Sequence, residues 1–337
     1  MDLLLDLVSN EGGEGRGMGP SCLAVLMERL FHLDRHVDGD QTRKTTAKVP
    51  LTLVRYPHRI ESRLPIASLR HALGTEGRLL SKGAVVFVMV WQQPLEDVGW
   101  MWPPYFQNRA VEGLIKRLQA VPEPDRRQLL ESELPLFYRP DYLSVMLLER
   151  YSKVDVVKEF EKGIREAIEC HFLGLHDAAV STLLPVLEGI VRGIAKTQGR
   201  DPGTKTKLLS SEIQDMVDHE AKRWSNDSAS DERKEMLQAF KRFFDGDLYA
   251  HTLGYSGQGE LNRHGVAHRL FQRFGTAANF CILISILDHL TFVMSFRMSK
   301  MSVMAPDDTS ESIALANYFA RLGAIRPALA SQSGLTK

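Results

Sequence analysis

Hydrophobic residues recur at helical spacing along most of the chain from about residue 108 onward. Between residues 155 and 173, Val156, Phe160, Ile164 and Ile168 lie on one face of a predicted helix. Several of these segments are separated by proline, which starts or ends a helix. The pattern predicts helices at Arg109–Ala120, Glu123–Phe137, Pro140–Tyr151, Asp155–Leu173, Asp177–Lys196, Lys207–Trp224, Asp231–Phe244, Asn262–Met298 and Ser310–Leu322, followed by a disordered C-terminus.

The first hundred residues follow a different pattern. Gly83–Gln92 is a continuous run of mostly apolar, β-branched residues, typical of a buried strand, and Val49–Tyr56 is a second candidate strand. A glycine-rich linker and a helix capped by Ser21 precede them. We therefore predict an N-terminal α/β or irregular region of unknown role at residues 1–107. A mainly α domain, an antiparallel helical bundle, follows at 108–304, with a C-terminal helix and tail at 305–337.

Two apolar segments each allow two interpretations. Residues 100–106 (WMWPPYF) form either an aromatic binding surface or a proline-rich turn whose aromatics are packed inside, and we favour packing. Phe274–Phe296 is either a membrane span or a buried helix. Asp288 and His289 interrupt it, and its longest uncharged stretch, Phe274–Leu287, is shorter than the roughly 20 residues that a span requires. We predict a buried helix and no membrane partner.

Composition narrows the classes of function. Lys+Arg and Asp+Glu are equal at 42 each, so the chain has no overall attraction for nucleic acids or anionic membranes, and any RNA contact needs a local basic patch. The three cysteines are scattered and form no CxxC pair, which argues against a zinc site or a disulfide framework. With Asp2 and Asp6 at the N-terminus, we expect no targeting segment and a cytoplasmic protein. No motif indicates a cofactor.

The segment Asn262-Arg-His-Gly-Val-Ala-His268 carries the clearest candidate chemistry. It begins the predicted final helix, and the N-terminal end of a helix favours an anion such as phosphate. Arg263 offers a planar fork of donors for phosphate oxygens. Histidine ordinarily titrates near pH 6.5 and transfers protons near neutral pH. Together these residue types suit metal-independent RNA cleavage, in which a ribose 2′-hydroxyl attacks the adjacent phosphate.

This segment resembles the Arg-(x)4–6-His signature of the HEPN superfamily, whose common form has Asn, Asp or His directly after the Arg, as His264 does here. The order of helices over Tyr142–Met304 and the run LPVLEGIVR at residues 184–192 are also similar. The resemblance implies an α-helical bundle that often forms a homodimer. In active members it implies an endoribonuclease of toxin or anti-phage systems, although many relatives lack activity.

The resemblance also implies roles for individual residues. Arg263 would hold the phosphate, His268 would be the general acid/base, and His264 and Glu188 would support them. We add Asn262 and Arg269 as candidate substrate-binding residues. Arg269 departs from the pattern, because relatives usually have glycine after the histidine; this cation would either bind phosphate or block the cleft.

Several alternatives stay open from the sequence. On an ideal helix Arg263 and His268 point about 140° apart, so they converge only if the first turn is irregular. Glu260, His264 and His268 would form a metal site only if the helix extended back through Gly259, and we predict no metal. Glu188 could instead form a surface salt bridge with Arg192. The whole domain could also be a catalytically silent module that dimerises or docks a partner protein through the N-terminal region.

Overall fold

The computed structural model describes residues 92–200, 207–223, 230–252, 255, 258–297, 302 and 304–333. The chain divides into two compact units, Met1–Leu64 and Pro65–Lys337, and every described residue belongs to the second. The predicted N-terminal helix and the strand Val49–Tyr56 lie outside the described residues. Of the predicted strand Gly83–Gln92 only Gln92 is described, and it lies in a helical turn at residues 92–96.

The described part of the chain is mainly helical and contains no strand, in agreement with the predicted mainly α class. Most predicted helices are found within one or two residues of their expected ends. The α-helices are α1 (Asn108–Ala120), α2 (Glu123–Phe137), α3 (Pro140–Glu149), α4 (Asp155–Lys158), α5 (Glu161–Phe172), α6 (His176–Thr197), α7 (Lys207–Arg223), α8 (Ser230–Phe243), α9 (Arg263–Ala267), α10 (Ala277–Arg297) and α11 (Ser310–Ser333).

The helix predicted at Asp155–Leu173 is two helices, α4 and α5, with a break at Phe160. The ring of Phe160 packs against the backbone of Gly189 in α6, where an added Cβ would lie 2.4 Å from the ring. A tertiary contact therefore overrides the continuous helical pattern of the sequence. The disordered C-terminus predicted after Leu322 is also wrong as far as Ser333, because α11 continues to that residue.

The long helix predicted at Asn262–Met298 is wrong as well, because the chain leaves the helix after Ala267. Arg269 has a left-handed φ of 54°, and the Phe271 ring then folds over Gly265, where a Cβ would lie 2.1 Å from it. Thr276 caps the start of α10, since its Oγ1 accepts a hydrogen bond from the Asn279 backbone at 3.0 Å. Residues 263–267 are thus a separate five-residue helix.

The core is built around α10, which is buried from Ala278 to Ser295. It packs against α2, α6 and α8, while α6 also packs against α5, and α11 covers α3 and α5. By length and composition α6 and α10 could cross a membrane, but 94% of the apolar window of α10 is buried by other parts of the protein. A helix that is apolar on all sides is typical of a buried core element.

The aromatic turn at residues 100–106 is packed inside, as favoured from the sequence. Trp100 and Met101 are fully buried, and the Trp100 ring meets Phe137 of α2 edge-on at 6.1 Å. Nearby, Arg127 of α2 donates to the Val98 carbonyl at 2.9 Å. The compact unit therefore extends toward the N-terminus beyond Asn108.

A buried carboxylate lies at the centre of the core. Asp288 of α10 is fully buried and accepts hydrogen bonds from the hydroxyls of Tyr142 and Tyr151, each at 2.7 Å. Burial raises the pKa of Asp288 to about 7, although both hydrogen bonds and the nearby Arg150 act in the opposite direction. Asp288 thus joins α10 to Tyr142 and Tyr151 and has no position at the surface.

Candidate functional site

Asn262 fixes the start of α9. Its side-chain oxygen accepts from the Gly265 backbone at 3.0 Å, and its amide donates to the carbonyls of Asp247 and Ala250 at 3.2 and 2.8 Å. The side chain is fully buried, and these three bonds satisfy its hydrogen-bonding groups. The geometry thus gives Asn262 a positioning role and does not support the predicted contact with substrate.

A second buried amide holds the segments on both sides of α9. Asn279 of α10 donates to the carbonyls of Gly259 and Phe274 at 2.6 and 2.8 Å, and its oxygen accepts from Arg127 at 3.0 Å. Gly259 has a φ of 77° and lies so close to Arg127 that a Cβ there would collide with the guanidinium. The short helix is therefore held at both ends by the rigid core. Asn279 was not predicted as part of the site. The one feature of the sequence that marks it is a polar amide within an otherwise apolar segment.

Arg263 and Glu188 meet, although they are 75 positions apart. Arg263 Nε donates to Glu188 Oε1 at 2.5 Å, and Arg192 approaches the other carboxylate oxygen only to 4.0 Å. Hydrogen bonding to Glu188 raises the pKa of Arg263, so the cation is permanent. Within the described chain, the terminal guanidinium nitrogens of Arg263 make no hydrogen bond. Glu188 therefore contacts Arg263, and its supporting role in catalysis stays a prediction.

Tyr249 is a member of the site that the sequence reasoning missed. Its hydroxyl interacts with the Glu188 carboxylate, and burial together with this carboxylate raises the pKa of Tyr249 well above the usual value. Its ring stacks on Phe244 at 4.4 Å, at the end of a π-helical turn, Phe244–Leu248. A tyrosine after an Asp-Gly-Asp segment carries no signal in the sequence that would link it to Glu188.

Two surface grooves meet at Arg263. The first, which we call the Tyr249 groove, has a volume of about 500 Å³ and is lined by Tyr249, Ala250, His251, Thr252, Arg263, His264 and Leu270. The second, the Pro185 groove, has about 330 Å³ and is lined by Ser181, Leu184, Pro185, Glu188, Arg263, Val266, Ala267 and Arg269. The guanidinium therefore borders two neighbouring spaces open to solvent.

The two histidines of the motif lie together. Both are exposed, and the ring centroids of His264 and His268 are 4.3 Å apart, as four-residue spacing predicts. His264 lines the Tyr249 groove beside Arg263, whereas His268 lines neither groove. No hydrogen bond joins Arg263 to His268 in the described residues. This separation agrees with the angle of about 140° expected between Arg263 and His268 on a helix.

The anion site expected at the mouth of a long helix is not supported. α9 is only five residues long, so its dipole is small, and its Gly265 N–H is already bonded to Asn262. The nearby Glu260 carboxylate accepts from the backbone N–H groups of Gln272 and Arg273 at 3.1 and 2.7 Å. Any attraction for phosphate must therefore come from side chains, with Arg263 foremost.

Arg269 lies at the far edge of the Pro185 groove. Its guanidinium is 3.4 Å from Asp177 and stands over the Phe274 ring at 5.2 Å from the centroid. The side chain is largely exposed, so this ion pair is weak and exchangeable. Its left-handed backbone is a conformation that glycine adopts without strain. Arg269 borders the groove without filling it.

The described residues contain no group of three or more His, Cys, Asp or Glu side chains that could hold a metal ion. Glu260 is not available as a partner for the two histidines, because its carboxylate caps backbone N–H groups. Comparisons with protein families, with curated proteins and with solved structures find no match to this chain. The function is therefore inferred from the geometry of the site.

Proposed function

We propose that this protein is a HEPN-like, metal-independent endoribonuclease whose helical domain is an antiparallel bundle that dimerises. The observation that carries the proposal is the position of Arg263, which is held by Glu188 at the junction of two grooves and next to the exposed His264. A permanent cation and an imidazole beside an open groove are the groups that phosphodiester transfer requires. A cytoplasmic role in a toxin or anti-phage system belongs to the same proposal.

The reaction assigned to this site has one covalent step. One imidazole accepts the proton of the ribose 2′-hydroxyl, and the 2′ oxygen forms a bond to phosphorus. The bond from phosphorus to the 5′ oxygen breaks, and a protonated imidazole returns a proton to that oxygen. The terminal guanidinium nitrogens of Arg263 stabilise the charge on the phosphoryl oxygens. Because His264 borders the groove and His268 touches its ring, we assign the proton transfers to this pair, with His264 nearest the substrate.

An RNA cleavage assay in excess EDTA tests the proposal. The full chain is incubated with unstructured RNA of mixed sequence, and the products are resolved by length. We expect cleavage that persists in EDTA and that is about 10²–10³-fold slower in Arg263→Ala. If the wild type cleaves no RNA under any condition, the nuclease proposal fails.

Tyr249→Phe should slow cleavage about tenfold with little change in KM. The substitution keeps the ring stack on Phe244 but removes the hydroxyl that interacts with Glu188, and a tenfold loss of rate corresponds to about 1.4 kcal/mol of transition-state free energy. Tyr318→Phe is the matched control, since that hydroxyl also interacts with a glutamate, Glu169, outside the site. Steady-state kinetics and melting curves of both variants give the result. Equal losses of activity in the two would contradict the role of Tyr249.

A silent interaction module is the second candidate function. It is favoured by the neutral net charge and by the pairing of Arg263 and Arg269 with carboxylates, which lowers the positive potential at the grooves. In that case light scattering would still find a dimer, but RNA would neither bind nor be cleaved.

A further inference from the structure

The exposed histidine pair of α9 has the arrangement of a metal chelate. His264 and His268 lie one helical turn apart, with ring centroids separated by 4.3 Å. Neither ring hydrogen-bonds to another described side chain or carbonyl. Both are open to solvent, so an ion can reach the ring nitrogens after small side-chain rotations. Neutral imidazole is a preferred ligand of several transition metals.

We propose that His264 and His268 together bind one transition-metal ion of the class that prefers imidazole, such as Zn²⁺, Ni²⁺ or Cu²⁺, and that this ion inhibits the site. The first half of this proposal, the binding of the ion, does not depend on the proposed nuclease function. The inhibitory half rests on the proposed nuclease function.

The charges around the pair are balanced, which permits a cation to bind. Arg263 is paired with Glu188 and Arg269 with Asp177, while Arg273 lies 3.5 Å from Glu260. Each of these three arginines, which are near the two histidines in the sequence, is thus paired with a carboxylate. Two nitrogen ligands do not suit Mg²⁺ or Ca²⁺, which take oxygen ligands. Zn²⁺ is usually four-coordinate, so two protein ligands leave two positions for water.

A bound ion would remove the function of His264 directly. A nitrogen that donates its lone pair to a metal cannot accept a proton from a ribose hydroxyl. Because His264 lines the Tyr249 groove next to Arg263, the ion would also occupy space at the entrance of that groove. Transition metals would therefore act as inhibitors, and chelators would restore activity.

Calorimetric titration of Zn²⁺ into the untagged full chain tests the binding half. Compared with wild type, His264→Ala and His268→Ala should each lose one bound ion or bind it at least about tenfold more weakly. His219→Ala removes an exposed histidine elsewhere, on α7, and should leave binding unchanged. Arg263→Ala should also bind Zn²⁺ as the wild type does. Since the chain has 11 histidines, the difference between variants, and not the total number of ions, is decisive.

Equal Zn²⁺ binding by wild type, His264→Ala and His268→Ala would overturn the proposed site. For the inhibitory half, RNA cleavage is measured with Zn²⁺ added and then with EDTA. Inhibition that EDTA reverses is expected, whereas cleavage unaffected by bound Zn²⁺ would overturn the inhibition. If wild type cleaves no RNA, the proposed function and the inhibitory half fail together, while the titration still decides whether the metal site exists.

Discussion

Replacing Arg263 with alanine is expected to slow RNA cleavage by about 10²–10³-fold, the usual loss when one preorganised donor to a developing oxyanion is removed. Arg263 is the cation that borders both grooves, and its Nε is already held by Glu188. Arg263→Lys should recover little, because an ammonium group cannot bond Glu188 and phosphate in the geometry of the planar fork. Single-turnover rates on one RNA provide the measurement.

Arg273→Ala is the matched control for this prediction. Arg273 lies in the same segment, but its side chain is 89% exposed, and its only ion pair with a described residue, Glu260, has a length of 3.5 Å. Its loss should change the rate less than twofold, since an exposed ion pair contributes little. His264→Ala should cost at least as much as His268→Ala, because only His264 lines a groove. A folded Arg263→Ala protein that cleaves at the wild-type rate would contradict the site.

The second large effect concerns stability and arises from Asp288. Its pKa of about 7 in the folded protein means that the fold retains a proton which the unfolded chain releases near pH 4. The resulting stabilisation is complete below about pH 4 and is lost as the pH rises to 7. Between about pH 5 and 8, the free energy of unfolding of wild type should therefore fall by about 3 kcal/mol relative to Asp288→Asn.

Urea unfolding of both proteins at the two pH values measures this difference. Burial lowers the pKa of His171 to about 3 and that of His289 to about 4, so these groups make the fold less stable as the pH falls below 6.5. They are present in both proteins, and their effect cancels in the comparison. Asp141→Asn, at an exposed pair with Arg139, should show no such trend. A wild-type minus Asp288→Asn difference that is constant with pH would rule out a raised pKa.

The sequence predicts the helices well because their signals are local. Apolar spacing and proline starts reproduce the bounds of α1, α2 and α6 within one residue. The break after α9 was missed, since it depends on the Phe271 ring reaching the backbone of Gly265. One local signal was available: Gly275-Thr276 is a helix stop followed by an N-cap residue, directly before α10.

The site was predictable only in part, because its contacts join residues that are far apart in the sequence. The Glu188 to Arg263 contact followed from a family resemblance, because no spacing rule connects residues so far apart. The contribution of Tyr249 depends on how the π-helical turn presents it to Glu188, a tertiary effect without a local pattern. Asn262 was predicted to begin the final helix, and its side chain does cap α9, yet its burial could not be inferred from the sequence.

The most direct test of the central claim compares RNA with DNA of the same sequence, each incubated with wild type in excess EDTA. The 2′-hydroxyl is the nucleophile in the proposed reaction, so RNA should be cleaved to products ending in a 2′,3′-cyclic phosphate, while DNA should stay intact. Cleavage of both polymers, or of neither, would contradict the account.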